Sequence, residues 1–459
     1  MSDSYDVVVI GAGPAGIFAA LELLATPGIS VLILEKGRDI EKRRCPARQS
    51  GCSGCKTCDI MTGWGGAGAF SDGKLTLTGE VGGWLGEYVG PAALDTLLQD
   101  ADDLWLKFGA DPFVHTPDEQ HAARLMHEAA AVDMQLVPMR IRHLGTDRSP
   151  EVLGAMRTYL EAQGVEVRTS APVARVLASE GRVTGVELSD GTHITASAVV
   201  AAPGREGADW LVEQSKALGL ALSNNAVDIG VRVECPAGIM EPLTDYLYEA
   251  KLLYTSKLFG DRVRTFCMNP YGEVTTESYG DVVTVNGHSY AEKKTGYTNF
   301  AVLVSQNFTH PFHEPITYGR SIARLANLLG EGILVQRLAD LKAGQRSTPE
   351  RIAASGIVPT LPGATPGDLA SALPYRHLTD LVEFFDALEV LAPGITAETT
   401  LMYGVEVKFY SSRVAVDSSL MTAIDGLYAI GDGAGVTRGL IQSSASGLVV
   451  ARALARALA

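Results

Sequence analysis

The sequence predicts an α/β protein, with a Rossmann-like, doubly wound nucleotide-binding domain interrupted by an inserted mixed α+β domain. Three observations predict it. A buried-strand run at residues 5–10 leads through Gly11-Ala12-Gly13-Pro14-Ala15-Gly16 into a helical stretch ending near Ala25. A second apolar run at residues 31–34 then ends at Glu35, completing a βαβ unit. At the far end, a short buried strand at residues 426–431, a glycine-rich turn and a helix from about Leu440 close the chain. Finally, 459 residues are too many for one ordinary domain.

Each element can be justified in chain order. Residues 36–80 are glycine-rich, and so long a loop in a compact domain is usually functional. Residues 89–131 read as mostly helical, punctuated by Pro112 and Pro117, and residues 151–163 as a further helix. Strands follow at 165–169 and 173–177. A hairpin signal, Ser189-Asp190-Gly191, separates strands at 183–188 and 193–196, and a short buried strand at 199–202 closes on Pro203-Gly204. Residues 224–395 mix strands (228–234, 262–267, 299–304) with helices (near 319–329 and 380–391). The expected organisation is a discontinuous domain of residues 1–75, 145–215 and 396–459, a capping segment 76–144 and an inserted substrate domain 216–395.

Composition narrows the function. Hydrophobic residues make up 46% and charged residues 20%, which suits a globular chain with a sizeable core. The formal charge of −15 repels phosphate backbones and anionic lipid, so neither nucleic acid nor a membrane is an expected partner. No run reaches the roughly 18 apolar residues that span a bilayer. The first six residues carry no basic region ahead of the apolar run, so the expected compartment is the cytoplasm.

In Gly11-x-Gly13-x-x-Gly16 each glycine has a task. Gly11 permits the tight turn, Gly13 admits a pyrophosphate to the backbone, and Gly16 lets helix pack on strand. Ala15 lies in the first helical turn, whose N–H groups and dipole hold phosphate charge. Glu35, with Lys36 after it, follows Gly16 by 19 residues, where a carboxylate accepts from ribose hydroxyls.

The other end selects the dinucleotide. Gly426-Leu427-Tyr428-Ala429-Ile430-Gly431-Asp432-Gly433-Ala434-Gly435 resembles the second FAD motif of glutathione-reductase-like flavoproteins. That resemblance implies FAD, with Gly431 and Asp432 at the ribityl chain. It also implies a helix after Arg438-Gly439-Leu440 whose positive end stabilises reduced flavin. Val173 and Gly204 fall at that family's adenine-side strand and intermediate glycine turn, although Pro203 stands where many members carry threonine. No second Gly-x-Gly-x-x-Gly has strand context, so NAD(P)H is expected only as a transient reductant.

Further runs resemble a group of FAD-dependent dehydrogenases related to aminoacetone-oxidase-like flavoproteins. They include Cys52-Ser53-Gly54-Cys55-Lys56-Thr57-Cys58, residues 65–75, Arg142-His143-Leu144-Gly145-Thr146-Asp147, Asn286-Gly287-His288 and residues 403–410. In the loop 65–74, Gly66 and Gly68 allow close approach, while Ser71, Asp72 and Lys74 can bond cofactor or substrate. Arg142 can bind an anionic substrate group and His143 can donate a proton. Alternation in 403–410 puts Glu406 and Lys408 on one strand face, lining a flavin pocket or meeting solvent.

Four cysteines, Cys45, Cys52, Cys55 and Cys58, begin ten residues after Glu35. Their spacing fits an iron–sulfur cluster or a zinc site, a redox disulfide, or inert thiols. The expected function is a flavin oxidoreductase moving hydride between flavin N5 and a small-molecule substrate. The alternatives are an electron-transfer reductase wired through the cysteines to a partner protein, and a non-catalytic flavin-binding redox sensor.

Overall fold

A computed structural model describes residues 3–45, 55, 57–71, 73–145, 148–279, 281–289, 294–306, 308, 312, 314–409 and 412–458. Two compact units emerge: Met1–Val114, Ile141–Asn225 and Tyr410–Ala459 form the first, and His115–Arg140 with Ala226–Phe409 the second. The sequence boundaries at 215/216 and 395/396 therefore move to 225/226 and 409/410. The expected cap 76–144 is split, with residues 115–140 going to the second unit and the rest to the first.

The first unit is organised by Asp3–Ile10. This strand pairs in parallel with Val31–Leu34 on one side and His193–Ala201 on the other, setting Val7 opposite Val31 and Ala198. Glu166–Arg168 extends the sheet beyond Val31–Leu34, and Leu427–Ala429 pairs in parallel with His193–Ala201. Arg182–Leu188 and Val173–Ser179 complete it in antiparallel fashion. Val7, Val8, Val9, Leu32 and Ile33 are fully buried, as parallel strands covered on both faces require. Each such side chain contributes about 1.5–3 kcal/mol relative to exposure.

The helices Pro14–Leu23 and Leu440–Leu458 cross in backbone contact. A Cβ at Gly447 would lie 2.3 Å from the Ala15 carbonyl oxygen, so only glycine lets the helices approach this closely. This crossing brings the two ends of the chain together.

In the second unit the sheet runs Thr365–Pro366, Leu334–Arg337, Leu401–Lys408, Val227–Pro236, Tyr297–Gln306, Arg262–Asn269, Lys251–Thr255 and Met134–Val137. Its two faces differ. Ile229, Val231 and Val233 stand opposite Val304, Val302 and Phe300 and join one apolar core with Phe384, Phe385 and Leu388 of the helix Tyr375–Leu391. The other face carries Asp228, Arg232 and Glu234 with Lys408, Glu406 and Asn299, all buried. The hairpin of Glu273–Tyr279 and Val282–His288 completes this unit's β structure. Among the described residues no helix is long and apolar enough to cross a membrane.

Candidate cofactor site

The Gly11 turn is built as the glycine pattern demands. Gly11 has φ +101°, and a Cβ there would sit 2.2 Å from the Ala202 carbonyl oxygen. A Cβ at Gly16 would sit 2.1 Å from the Gly11 carbonyl oxygen. Gly13 is different: its φ is an ordinary −80°, and nothing lies within 4 Å of where its Cβ would be. Gly13 N-caps the helix Pro14–Leu23 with no side-chain cap, and Pro14 has no N–H. The first-turn N–H groups of Ala15 and Gly16 therefore have no intrahelical acceptor and face an open approach.

Glu35 is 5% exposed and does more than await a ribose. Its Oε2 accepts from Ala12 N at 2.9 Å, and its Oε1 accepts from Gly37 N at 2.8 Å and Gly63 N at 2.9 Å. One carboxylate thus ties the glycine turn, the end of the second strand and the glycine-rich loop together. A carboxylate offers about four lone-pair sites, so one acceptor position remains for a hydroxyl. Lys36 forms an ion pair with Glu206 and is held below the usual lysine range, first by burial.

The loop is anchored from its own side. Arg43 donates to the carbonyls of Asp59 at 2.8 Å, Ile60 at 2.9 Å and Trp64 at 2.6 Å, and burial lowers it to about 10. Gly65 N donates to the Ala12 carbonyl at 2.7 Å, and a Cβ at Gly66 would meet Gly13 Cα at 3.1 Å. Gly68 backs onto Leu440 and Pro14. The loop therefore lies along the starts of both helices. Ser71 turns inward to the Gly68 carbonyl, and Asp72 lies outside the described residues.

At the other end, Asp432 Oδ1 accepts from Thr437 Oγ1 at 2.7 Å and Ser443 Oγ at 3.0 Å. Its Oδ2 has Arg205 Nε at 3.9 Å, and the Asp432 side chain stays partly exposed. Gly431 Cα packs toward Ala15 Cβ, and Gly433 against Gly204, so the intermediate glycine turn meets the Asp432 turn. Val173 begins the outermost strand of this sheet. Gly439 and Leu440 start the last helix. Residues 81–84 strap across that start. Arg438 N donates to the Gly82 carbonyl at 2.7 Å, Trp84 N to the Val436 carbonyl at 2.9 Å, and Gln442 Nε2 to the Val81 carbonyl at 2.8 Å. The Arg438 guanidinium lies 3.8 Å from the Trp84 ring centre and that of Arg413 4.5 Å from it.

One expectation needs correcting. Arg142 binds no substrate anion. It is buried and closed on Asp102 through two 2.7 Å bonds, with a third at 2.5 Å to the Asp111 carbonyl, so its fork is committed to structure. The hydrogen bonds to Asp102 hold it above the usual arginine range. Of the two readings of Glu406 and Lys408, burial removes the solvent-facing one: both are buried in the second unit. His143 is half-buried opposite Lys74 in a short antiparallel pair. Cys45 and Cys58 are half-buried and Cys55 is exposed, Cys52 lies outside the described residues, and among the described residues no group of three His, Cys, Asp or Glu is placed to hold a metal.

Sequence reasoning missed Gly37, Gly63, Arg43, Trp84, Thr437, Ser443 and Gln442. Thr437 and Ser443 had a signal, being hydroxyls five and eleven residues after Asp432. The partners of Glu35 had none, because backbone donors carry no residue type.

The residues fit FAD. An uncapped helix start with open space before it suits a pyrophosphate, and two carboxylates with remaining acceptor capacity stand at either end, where ribose and ribityl hydroxyls need them.

Comparison with known proteins agrees. Residues 4–213 match the FAD binding domain model, and residues 226–409 match the model described as FAD-dependent protein, C-terminal domain-like. An uncharacterised protein of Clostridium beijerinckii is 28% identical, covering 97% of this chain and 79% of its own length. Among solved structures, 3-ketosteroid-delta4-(5alpha)-dehydrogenase from Rhodococcus jostii RHA1 is 15% identical with a TM-score of 0.45, covering 99% of this chain and 97% of that one. Glycine oxidase from Geobacillus kaustophilus is 14% identical with a TM-score of 0.41, covering 99% and 95%. The two models lie end to end on the chain, an FAD binding domain over residues 4–213 followed by an FAD-dependent C-terminal domain over residues 226–409.

Proposed function

We propose that the first unit holds FAD between Glu35 and Asp432, and that the enzyme moves a hydride between this flavin and a small organic substrate. The observation that carries the assignment is the Asp432 carboxylate. Two hydroxyls fix its Oδ1, which leaves Oδ2 of this partly exposed side chain oriented for a ribityl hydroxyl. Bound there, the flavin would supply a ring nitrogen that takes or returns a hydride.

The chain's own residues do the rest. Glu35 accepts from the ribose while holding the turn that receives the pyrophosphate. Ala15 and Gly16 donate backbone N–H groups to the phosphates. Gly66 and Gly68 carry the loop close enough to exclude water from that strip. The start of the helix Leu440–Leu458, with Arg438 held on Trp84, places positive charge where reduced flavin is anionic. His143, in the strand beside Lys74, is assigned the proton donor. NAD(P)H acts as a transient reductant if it acts at all, and the cytoplasm is the proposed compartment.

The test is fluorescence titration of apo-protein with FAD. Asp432→Ala is expected to weaken binding by about 10- to 150-fold, the equivalent of the 1.5–3 kcal/mol of a charge-assisted hydrogen bond. Unchanged affinity would remove Asp432 from the site.

A further inference from the structure

The ionic face of the second unit's sheet is unusual in how it is left open. Arg232 and Glu406 are both 0% exposed, yet their closest approach is 3.6 Å. Among the described residues, Arg232 Nε and Nη1 and both Glu406 oxygens make no hydrogen bond, and neither do Asn299 Nδ2 or Asn269 Oδ1. These groups are contiguous. Arg232 Nη2 lies 3.7 Å from Cys267 Sγ, and Asn269 Nδ2 donates to Asn299 Oδ1 at 3.3 Å. A Cβ on Gly287 would sit 2.1 Å from both Arg232 Nη2 and Asn299 Oδ1. Lys408 Nζ stands 3.1 Å from Glu406 Oε1 and 3.4 Å from Glu277 Oε2.

A structural ion pair looks different in this same chain. Arg142 closes on Asp102 through two 2.7 Å bonds, and Arg337 on Asp340 through bonds of 2.8 and 2.6 Å. Buried charge is tolerated when it is paired and hydrogen-bonded in this way. Arg232 and Glu406 sit at comparable depth with donors and acceptors unspent, an arrangement that a ligand would complete.

The unspent groups define that ligand. Arg232 and Asn299 offer donors, including a cationic one; Glu406 and Asn269 offer acceptors, including an anionic one. The complement is a molecule carrying both a carboxylate and an ammonium. Arg232 and Lys408 balance Glu406 and Glu277, so the four charges sum to zero and favour a ligand of no net charge. Because the two opposed groups are only 3.6 Å apart, the ligand's own carboxylate and ammonium must be neighbours. Half-buried Cys267, Glu277 and Asn286 form the rim.

We infer that Arg232, Glu406, Asn299 and Asn269 form a binding site for a small α-amino acid within the second unit. Arg232 takes its carboxylate and Glu406 its ammonium, with Lys408 holding Glu406 in place.

Isothermal titration of the FAD-loaded full-length protein with glycine, L-alanine, L-proline, β-alanine, acetate and methylammonium tests this. At least one α-amino acid is expected to bind at least tenfold more tightly than β-alanine, acetate or methylammonium. Arg232→Met and Glu406→Gln are each expected to weaken that binding about 100-fold. Should either variant fail to fold, the wild-type series still decides. Absence of α-amino acid binding at millimolar concentration, or equal binding of acetate and L-alanine, overturns the proposal. Flavin absorbance of the same sample keeps the two readings apart. Protein that holds no flavin contradicts the cofactor site, whereas flavin-loaded protein that ignores α-amino acids contradicts this one alone.

Discussion

Glu35→Ala should unfold the protein more easily even with no flavin present. The substitution removes the acceptor of three backbone donors: Ala12 N at 2.9 Å, Gly37 N at 2.8 Å and Gly63 N at 2.9 Å. The site is buried, so these donors lose a charged partner. Each unsatisfied donor costs about 1–3 kcal/mol, and water entering the vacated space holds the value near the lower end. The expected loss is therefore about 3 kcal/mol, or a melting temperature lower by about 6–12 °C. Thermal unfolding of the apo-protein, followed by circular dichroism, measures it. Glu35→Gln keeps one oxygen for Gly37 and Gly63 but turns an NH2 toward the Ala12 N–H, so it should fall between wild type and Ala. FAD affinity falls in both variants. An apo melting temperature within about 1 °C of wild type in Glu35→Ala would show that the three bonds do not hold the loop, and the argument for this carboxylate as a keystone would fail.

Gly13→Val should leave the apo-protein folded, because nothing lies within 4 Å of the new Cβ, yet purify colourless; a yellow variant would place the phosphates elsewhere. Gly11→Ala should instead destabilise the apo-protein, since its Cβ would lie 2.2 Å from the Ala202 oxygen, and a wild-type melting temperature would contradict that geometry. Acid stability should depend on two buried titratable groups on the helix Tyr375–Leu391. Burial lowers His377 to about 4 and raises Asp380 to about 6. Between pH 6.5 and 4 the unfolded chain protonates His377 and the folded chain does not, so stability falls with pH; Asp380 protonates earlier in the folded chain, so its contribution rises as pH falls. Asp380→Asn should therefore steepen the loss of stability between pH 6 and 4 and His377→Phe should reverse it, whereas identical pH profiles in urea melts would refute the burial argument for both groups. The four-thiolate proposal predicts about one equivalent of zinc, or a bound iron cluster, in protein purified without oxygen, lost in Cys55→Ser; less than about a tenth of an equivalent would end it.

The nucleotide domain was legible because its signals are local. The strand Val31–Leu34 appears at the residues read from the sequence, since four consecutive apolar residues between loops admit little else. His193–Ala201, by contrast, was read as two strands. Its first half alternates, with His193, Thr195 and Ser197 exposed, while its second half is wholly buried between Asp3–Ile10 and Leu427–Ala429. A change of environment along one strand looks like a break in sequence. Arg142 was misassigned because its partner, Asp102, lies 40 residues away and nothing near Arg142 marks the pairing. The alternation in residues 403–410 marked a polar face but left its depth open between a flavin pocket and solvent, and the structure buries Glu406 and Lys408. Charged alternation usually means solvent, and only the arrangement of neighbouring strands reveals that Glu406 is buried opposite Gly230.

The glycine loop shows the same limit more subtly. Its many glycines marked it as functional, and it does lie along both helix starts. What orders it is a set of carbonyls bound by Arg43 and two N–H groups bound by Glu35, none of which leaves a trace in residue type.

The central claim is that this chain is a flavin enzyme whose first unit holds FAD. The direct measurement is the flavin released from purified, FAD-reconstituted protein, identified by chromatography and counted against protein. The account predicts one FAD per chain in wild type and a marked loss in Gly13→Val at an unchanged apo melting temperature. Full FAD occupancy in Gly13→Val, or none in wild type after reconstitution, would contradict it.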